Sequence, residues 1–467
     1  VWRQASPWTS ERRWPHDDPA DALGTVKNIP LRPVSATPDT QPAASVAAAR
    51  HAAGSAPWRA ARLLTAPHRL GFFAAALLMA ASASWWALVL AARHAGVLLP
   101  WAVTPMAAHG LTMAFSFMPL FIVGFLFTAG PRWLGLPDVP GPTLLRPVLA
   151  LAGGWALALP GFHLHAGLAG LGLALTTLGW AAVLHRFVRL LRASRAPDRM
   201  HARGIAVAGG VGLLALTLAA VAVASDHVAG ARAATQLALW GFLAPTFTIV
   251  SHRMLPFFTA SALPFVDAWR PNWLLALMVT ALGVSALGNS AGMLWAPLPA
   301  WAHAALLAVQ APVALLVLWL AVRWGLVQSL RVRLLAMLHG GFVWLGIALA
   351  LSAGSHALVL GFGPAASLGL APLHALTMGY LGATLIAMIT RVAAGHSGRP
   401  LAADDIAWGL YLVLQTAVLL RVAGALWPAA GVALTLLAVL AWAVACCGWA
   451  LRYGAWLGRP RVDGRPG

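Results

Sequence analysis

The chain has 467 residues, 60% of them hydrophobic and only 9% charged, with a mean hydropathy of +0.78. Soluble domains carry roughly 25% charged residues, so this chain has too few to cover a water-facing surface of its size. The formal net charge of +19 does not mark a nucleic-acid binder, because the arginines lie scattered between apolar runs and form no stripe on one domain.

Residues 1–65 are rich in Pro, Arg, Ser and Ala, without an apolar run long enough for the core of a signal peptide. They read as a disordered tail. From 66 to 453, apolar runs alternate with short polar or basic segments. About 20 residues cross a bilayer, and runs of that order predict spans near 70–92, 104–130, 144–160, 165–185, 204–225 and 233–252. Six more follow near 273–289, 299–322, 334–353, 367–390, 405–425 and 429–451, and 454–467 is a short basic tail. The fold class is therefore an all-α polytopic membrane bundle of about twelve helices, with the lipid bilayer as its first partner. Paired glycines (Gly153-Gly154, Gly209-Gly210, Gly340-Gly341) permit close helix contact.

Arginine sets the orientation. The segments after the even-numbered spans and both tails hold most of it, with Arg186, Arg189, Arg192, Arg195, Arg199 and Arg203 after span 4 alone. The opposite loops hold only Arg93, Arg232 and Arg421. Both termini are thus expected to be cytoplasmic.

Sixteen histidines against twelve acidic residues are out of proportion, and ionisable groups inside spans are costly enough to count as functional candidates. His109, His303 and His374 begin inward-running spans and share an outer layer. His252, His339 and His396 fall in an inner layer, close to Arg253 and Arg391. Neutral imidazole binds iron and copper, so either layer suits an axial haem pair or a copper site. A single histidine near a helix end is as readily an interfacial or hydrogen-bonded residue. His94, His163, His165, His227 and His356 fall in outer loops as surface residues, with His163 and His165 also spaced to chelate on an extended segment. Met106, Met113 and Met118 recur along span 2 and read as apolar packing, as do the adjacent Cys446 and Cys447, which form no CxxC motif. Acidic residues are nearly absent from the spans, which counts against a carboxylate ion relay.

Four segments resemble a known family. His374-Ala-Leu-Thr-Met-Gly-Tyr-Leu-Gly, then Ile386-Ala-Met-Ile-Thr-Arg-Val-Ala-Ala-Gly-His396-Ser-Gly-Arg-Pro-Leu401, resembles the HALT-x-G … MM-x-R-V-x-x-GH-[TS]-GRPL signature of the NnrS family. Arg253-Met-Leu-Pro-Phe-Phe-Thr259, Leu338-His339-Gly-Gly-Phe-Val-Trp344-Leu345 and, more loosely, Gly124-Phe-Leu-Phe-Thr-Ala-Gly-Pro-Arg-Trp133 are similar to three further stretches of that family. The resemblance implies a twelve-span bacterial inner-membrane protein containing haem b and copper, linked to nitric oxide (nitrosative stress) and denitrification, with no settled reaction and an unknown redox partner. It points to His339, His374 and His396, with Arg253 and Arg391 as partners. Where the family has H-x-H-E-M at the start of span 2, this chain has His109-Gly-Leu111-Thr112-Met113, so a histidine and a glutamate are replaced.

The resulting expectation is a b-type haem between His109 and His374 on spans 2 and 10, by fold analogy with twelve-span haem–copper oxidases. Copper falls to His339, with His252 and His396 behind it. Arg253 and Arg391 are expected to pair with haem propionates, which requires a haem at the inner end, so the two placements compete. The alternatives are a secondary transporter, for which twelve spans and Gly/Pro-rich helices are a common layout, and a metal-binding assembly factor for respiratory enzymes.

Overall fold

The computed structural model describes residues 56–463, so residues 1–55 and 464–467 of the expected tails lie outside the described residues. Among the described residues, twelve helices are long and apolar enough to cross a membrane. They are α1 (Pro67–His94), α2 (Pro105–Trp133), α3 (Gly141–Leu164), α4 (Ala166–Ala193), α5 (Met200–Ala224) and α6 (Val228–Ala262). They continue as α7 (Asn272–Leu294), α8 (Ala300–Arg323), α9 (Arg333–Phe362), α10 (Pro364–His396), α11 (Asp405–Leu426) and α12 (Pro428–Leu457). All twelve expected spans are present, and the fold is the all-helical membrane bundle read from the sequence.

Four helices form the interior. In the most apolar stretches of α2, α6, α9 and α10, 72–83% of residues are buried inside the protein, against 28–44% in the other eight. A helix apolar on every side and buried among neighbours belongs to the core, and one whose apolar side chains remain exposed faces lipid. His109, His252, Arg253, His339, His374, Arg391 and His396 all lie on these four helices.

The inner helices are irregular, and proline explains two of the departures. In α2 the helix breaks between Phe115 and Met118. Pro119 has no N–H to give the Phe115 carbonyl, and the Trp155 indole N–H of α3 donates to that oxygen at 3.0 Å. In α6 the residues Ala238–Leu243, just before Pro245, form a π-helix. A π turn re-satisfies backbone groups that a proline frees in lipid, where water is absent. A second π-helix, Ala375–Gly382, follows His374 in α10, and nothing in the sequence explains it.

The bundle reaches beyond its expected limits at both ends. Residues 60–65 form a 3-10 turn with Leu63 buried, and α12 runs on to Leu457. The two ends hold each other: the Arg59 N–H donates to the Gly458 carbonyl at 2.9 Å. The Arg69 guanidinium donates to the Leu457 and Arg459 carbonyls at 2.8 and 2.7 Å.

Close approach is real at one member of each of two glycine pairs. A Cβ on Gly341 of α9 would lie 2.8 Å from the Thr384 nitrogen of α10. One on Gly154 of α3 would lie 2.5 Å from the Gly172 carbonyl of α4, whereas a Cβ on the adjacent Gly153 meets only Leu175, at 3.9 Å. Gly154→Leu should therefore cost about 1–3 kcal/mol, the usual penalty of overpacking, and Gly153→Leu should be near neutral. Thermal unfolding in detergent checks the pair, and equal effects would mean that the α3–α4 crossing does not depend on backbone contact.

Candidate functional site

At the end of the bundle opposite the described chain ends, α1, α2, α6, α10, α11 and α12 line a cavity of about 170 Å³. His109 and His374 both line it. Each sits one turn inside its helix, behind a proline whose missing N–H costs nothing at a helix start: Pro105 for His109 and Pro372 for His374.

The two imidazoles are prepared differently. His374 Nδ1 lies 2.9 Å from the Leu370 carbonyl. A carbonyl only accepts, so Nδ1 carries the proton and Nε2 keeps its lone pair, the arrangement that orients a metal-binding histidine. His109 stacks on the Trp86 indole, with ring centres 4.0 Å apart and planes 17° apart, and its buried Nδ1 has no hydrogen-bond partner.

Sequence reasoning missed the two arginines here. Arg232 and Arg421 line the same cavity, no acidic side chain does, and neither arginine has a hydrogen-bond or ion-pair partner among the described residues. Arg421 is partly buried, and such a cation without a counter-charge is costly and calls for an anionic ligand, whereas Arg232 is exposed at the rim. The available signal was in the charge pattern, since these are two of only three arginines on the sparse side. The methionines expected merely to pack also contribute. Met106, Met113 and Met118 line the cavity with Met293 and Met378, giving it a soft, polarisable wall.

The other expected site residues do not join this cavity. Arg232 and Arg253 both belong to α6, 21 positions apart, and His374 and Arg391 to α10, 17 apart, which is about 25–30 Å of helix. Arg253 lies over the Trp133 ring at 5.0 Å and 3.5 Å from the Asp198 carboxylate. That carboxyl, in the loop before α5, is held below its usual range chiefly by the Met200 backbone N–H. Arg391 lies over the Phe258 ring at 3.8 Å. Both arginines thus bind inner helices to one another at the far end, which leaves neither near a group held by His109 and His374.

The inner histidines are likewise dispersed. His252 Nε2 reaches the Pro271 carbonyl at 3.3 Å, and its Nδ1 accepts from His201 Nε2 at 3.1 Å. The Thr259 hydroxyl donates to the Leu255 carbonyl and so accepts from His339 Nε2, at 3.0 Å. His396 Nδ1 donates to the Val392 carbonyl at 3.1 Å, and its ring lies 4.3 Å from that of His68. His303 stays at the expected outer depth but lies away from His109 and His374, paired with His356, Nδ1 to Nδ1 at 2.9 Å. His163 is occupied by Trp85 and the Pro100 carbonyl, both at 2.9 Å, and His165 caps α4, so these two do not chelate. Leu111 and Thr112 are fully buried in the core, and the Thr112 hydroxyl bonds back to Ala108, so nothing replaces the family's histidine and glutamate.

Compared with protein families, residues 62–461 match the model of the NnrS protein. The chain belongs to the NnrS family. No curated protein matches it. The match covers all twelve spans, so this NnrS chain is a multi-pass membrane protein by both family and fold.

The NnrS resemblance implies haem and copper, and the two fare differently. Two histidines, a largely apolar wall and two cations are a lining that fits a haem with its propionates. Copper lacks a matching donor set: among the described residues no three His, Cys, Asp or Glu side chains gather closely enough to hold a metal ion. The expected set of His252, His339 and His396 is split between three different partners.

Since Arg421 is partly buried without a protein counter-charge, Arg421→Gln should stabilise protein prepared without added ligand by about 1 kcal/mol, because a buried charge is relieved. Thermal unfolding of protein from haem-limited cells tests this; a destabilised variant would mean that the guanidinium has a structural partner.

Proposed function

We propose that this NnrS-family protein holds a b-type haem in the cavity, with His109 and His374 as axial ligands, and acts in the response to nitric oxide. The observation that carries the reading is the entry of two histidines, from α2 and α10, into one cavity whose only charged groups are Arg232 and Arg421. With the termini on the cytoplasmic side, as arginine asymmetry argues, the haem lies near the outer face of the inner membrane.

Bound haem would supply electron transfer and the capacity to react with small diatomic molecules. The chain's own residues do the rest. The Leu370 carbonyl fixes the tautomer and rotation of His374. Trp86, stacked face to face, limits rotation of the His109 ring. Arg232 and Arg421 would pair with the carboxylates of the haem and offset the cost of placing them at membrane depth. Phe117, Leu239 and Trp442, with the methionines, keep water from the flat faces of the macrocycle. No hydrogen bond holds His109 Nδ1, so of the two histidines His109 would be held less firmly in place than His374.

A reduced-minus-oxidised spectrum with iron analysis tests the reading. The wild type should give a b-type spectrum with stoichiometric iron, His109→Ala and His374→Ala should each abolish it, and Arg253→Gln and Arg391→Gln should leave it intact. Protein that takes up no haem when supplied with it would sink the proposal. The unpaired arginines would then favour the transporter reading, with an anionic solute in the cavity.

A further inference from the structure

Beside the cavity, on the same end of the bundle, a groove runs between the end of α1, the end of α11 and the start of α12. Arg93 and His94, the last charged residues of α1, line it with Arg421. No acidic residue lines it, and none of these three side chains has a hydrogen-bond or ion-pair partner among the described residues. All three arginines of the sparse side, Arg93, Arg232 and Arg421, therefore converge on two adjoining spaces. Leu90, Leu370, Arg421 and Thr435 are walls of both, so the groove stands at the mouth of the cavity.

The groove is amphiphilic along its depth. Its basic groups sit where helices begin and end, the level of lipid headgroups in a spanning bundle. Trp427, 62% exposed at the turn into α12, marks the same level as an aromatic anchor. Towards the bilayer the lining turns apolar: Leu90 lies one turn inside Arg93, and Val432, 68% exposed, precedes Leu436 by one turn of α12. A free anion would use only the basic rim. A molecule with a negative head and an apolar tail uses both parts.

We infer that this groove binds an anionic phospholipid, its phosphate against Arg93 and His94 and an acyl chain along Leu90, Val432 and Leu436, so that the headgroup caps the cavity. The site requires no haem and is independent of the reading above. Basic pockets between membrane helices hold anionic headgroups through charge, at a gain of order one small fold-factor for each basic residue.

Native mass spectrometry of delipidated protein, titrated with phosphatidylglycerol and with phosphatidylcholine, tests the inference. Wild type should retain phosphatidylglycerol in preference. The Arg93→Gln/His94→Gln variant should lose at least roughly fivefold of that preference. Its melting temperature and visible spectrum should stay as in the wild type, and Arg189→Gln, on the exposed face of α4, should keep the preference. Equal retention of the two lipids, or full retention by the double variant, would overturn the proposal. So would stabilisation by inorganic phosphate alone equal to that by phosphatidylglycerol, which would reassign the groove to a soluble anion. Absence of haem with lipid preference intact would overturn the haem reading and leave this one standing.

Discussion

Hydrocarbon offers no hydrogen-bond partner, so every polar atom placed in the bundle has to be satisfied by the protein itself. Most of the interior obeys this. Trp155 caps the carbonyl that Pro119 strands, Gln310 donates to Ser285 at 2.9 Å, and Trp449 donates to Thr390 at 3.0 Å. The Thr248 and Tyr380 hydroxyls meet at 3.0 Å between α6 and α10. Even the histidines within the spans mostly find each other or a carbonyl. Unpaired buried polar atoms are scattered through the bundle, among them His339 Nδ1 and Trp240 Nε1 as well as His109 Nδ1. The cavity at the far end is set apart by charge instead: Arg232 and Arg421 line it, and no acidic side chain does.

The motif residues divide the inner helices into two ends with different duties. At the end that carries the chain ends, Arg253 covers Trp133, Arg391 covers Phe258 and His339 bonds Thr259, so each family segment is tied to another. These contacts lock α2, α6, α9 and α10 together. At the opposite end α2, α6 and α10 line the cavity, and the π-helices of α6 and α10 begin beside it. Wide turns of this kind shift the register of side chains on either side and are frequent near functional sites. A rigid lower half thus supports an upper half that is free to be shaped around a ligand.

The fold was legible because lipid imposes it: twenty-odd apolar residues bounded by arginines can do little else, and all twelve spans follow from that rule. His109 and His374 were legible as well, since both begin inward-running helices at the same depth and depth alone brings them to one level. Lateral position is a different matter. His303 shares that depth but sits on α8, against His356, and no periodicity in the sequence gives the order of helices around a bundle. The same lack of lateral information meant that His252, His339 and His396 could be grouped only by depth, and the structure gives each a different partner. Arg253 and Arg391 drew attention through their motifs, whereas Arg232 and Arg421 entered only as minor exceptions in a charge count. Those exceptions were informative, because a cation on the side that membrane insertion disfavours has to be retained by some other advantage.

The clasp between the two ends of the bundle bears on how the protein is made. α1 packs against α12, and Arg69 near the start of α1 bonds carbonyls that are synthesised almost four hundred residues later. A ribosome delivers α1 first, yet one of its principal neighbours emerges last. Until then the face of α1 meant for α12 meets lipid or the insertion machinery, and the guanidinium of Arg69 has only water or headgroups at the rim. Assembly can therefore begin at once for consecutive pairs such as α3 with α4, while closure of the ring waits for the final helix. Truncation near the C-terminus removes the closing element of a circle, and so strikes the first helix as directly as the last.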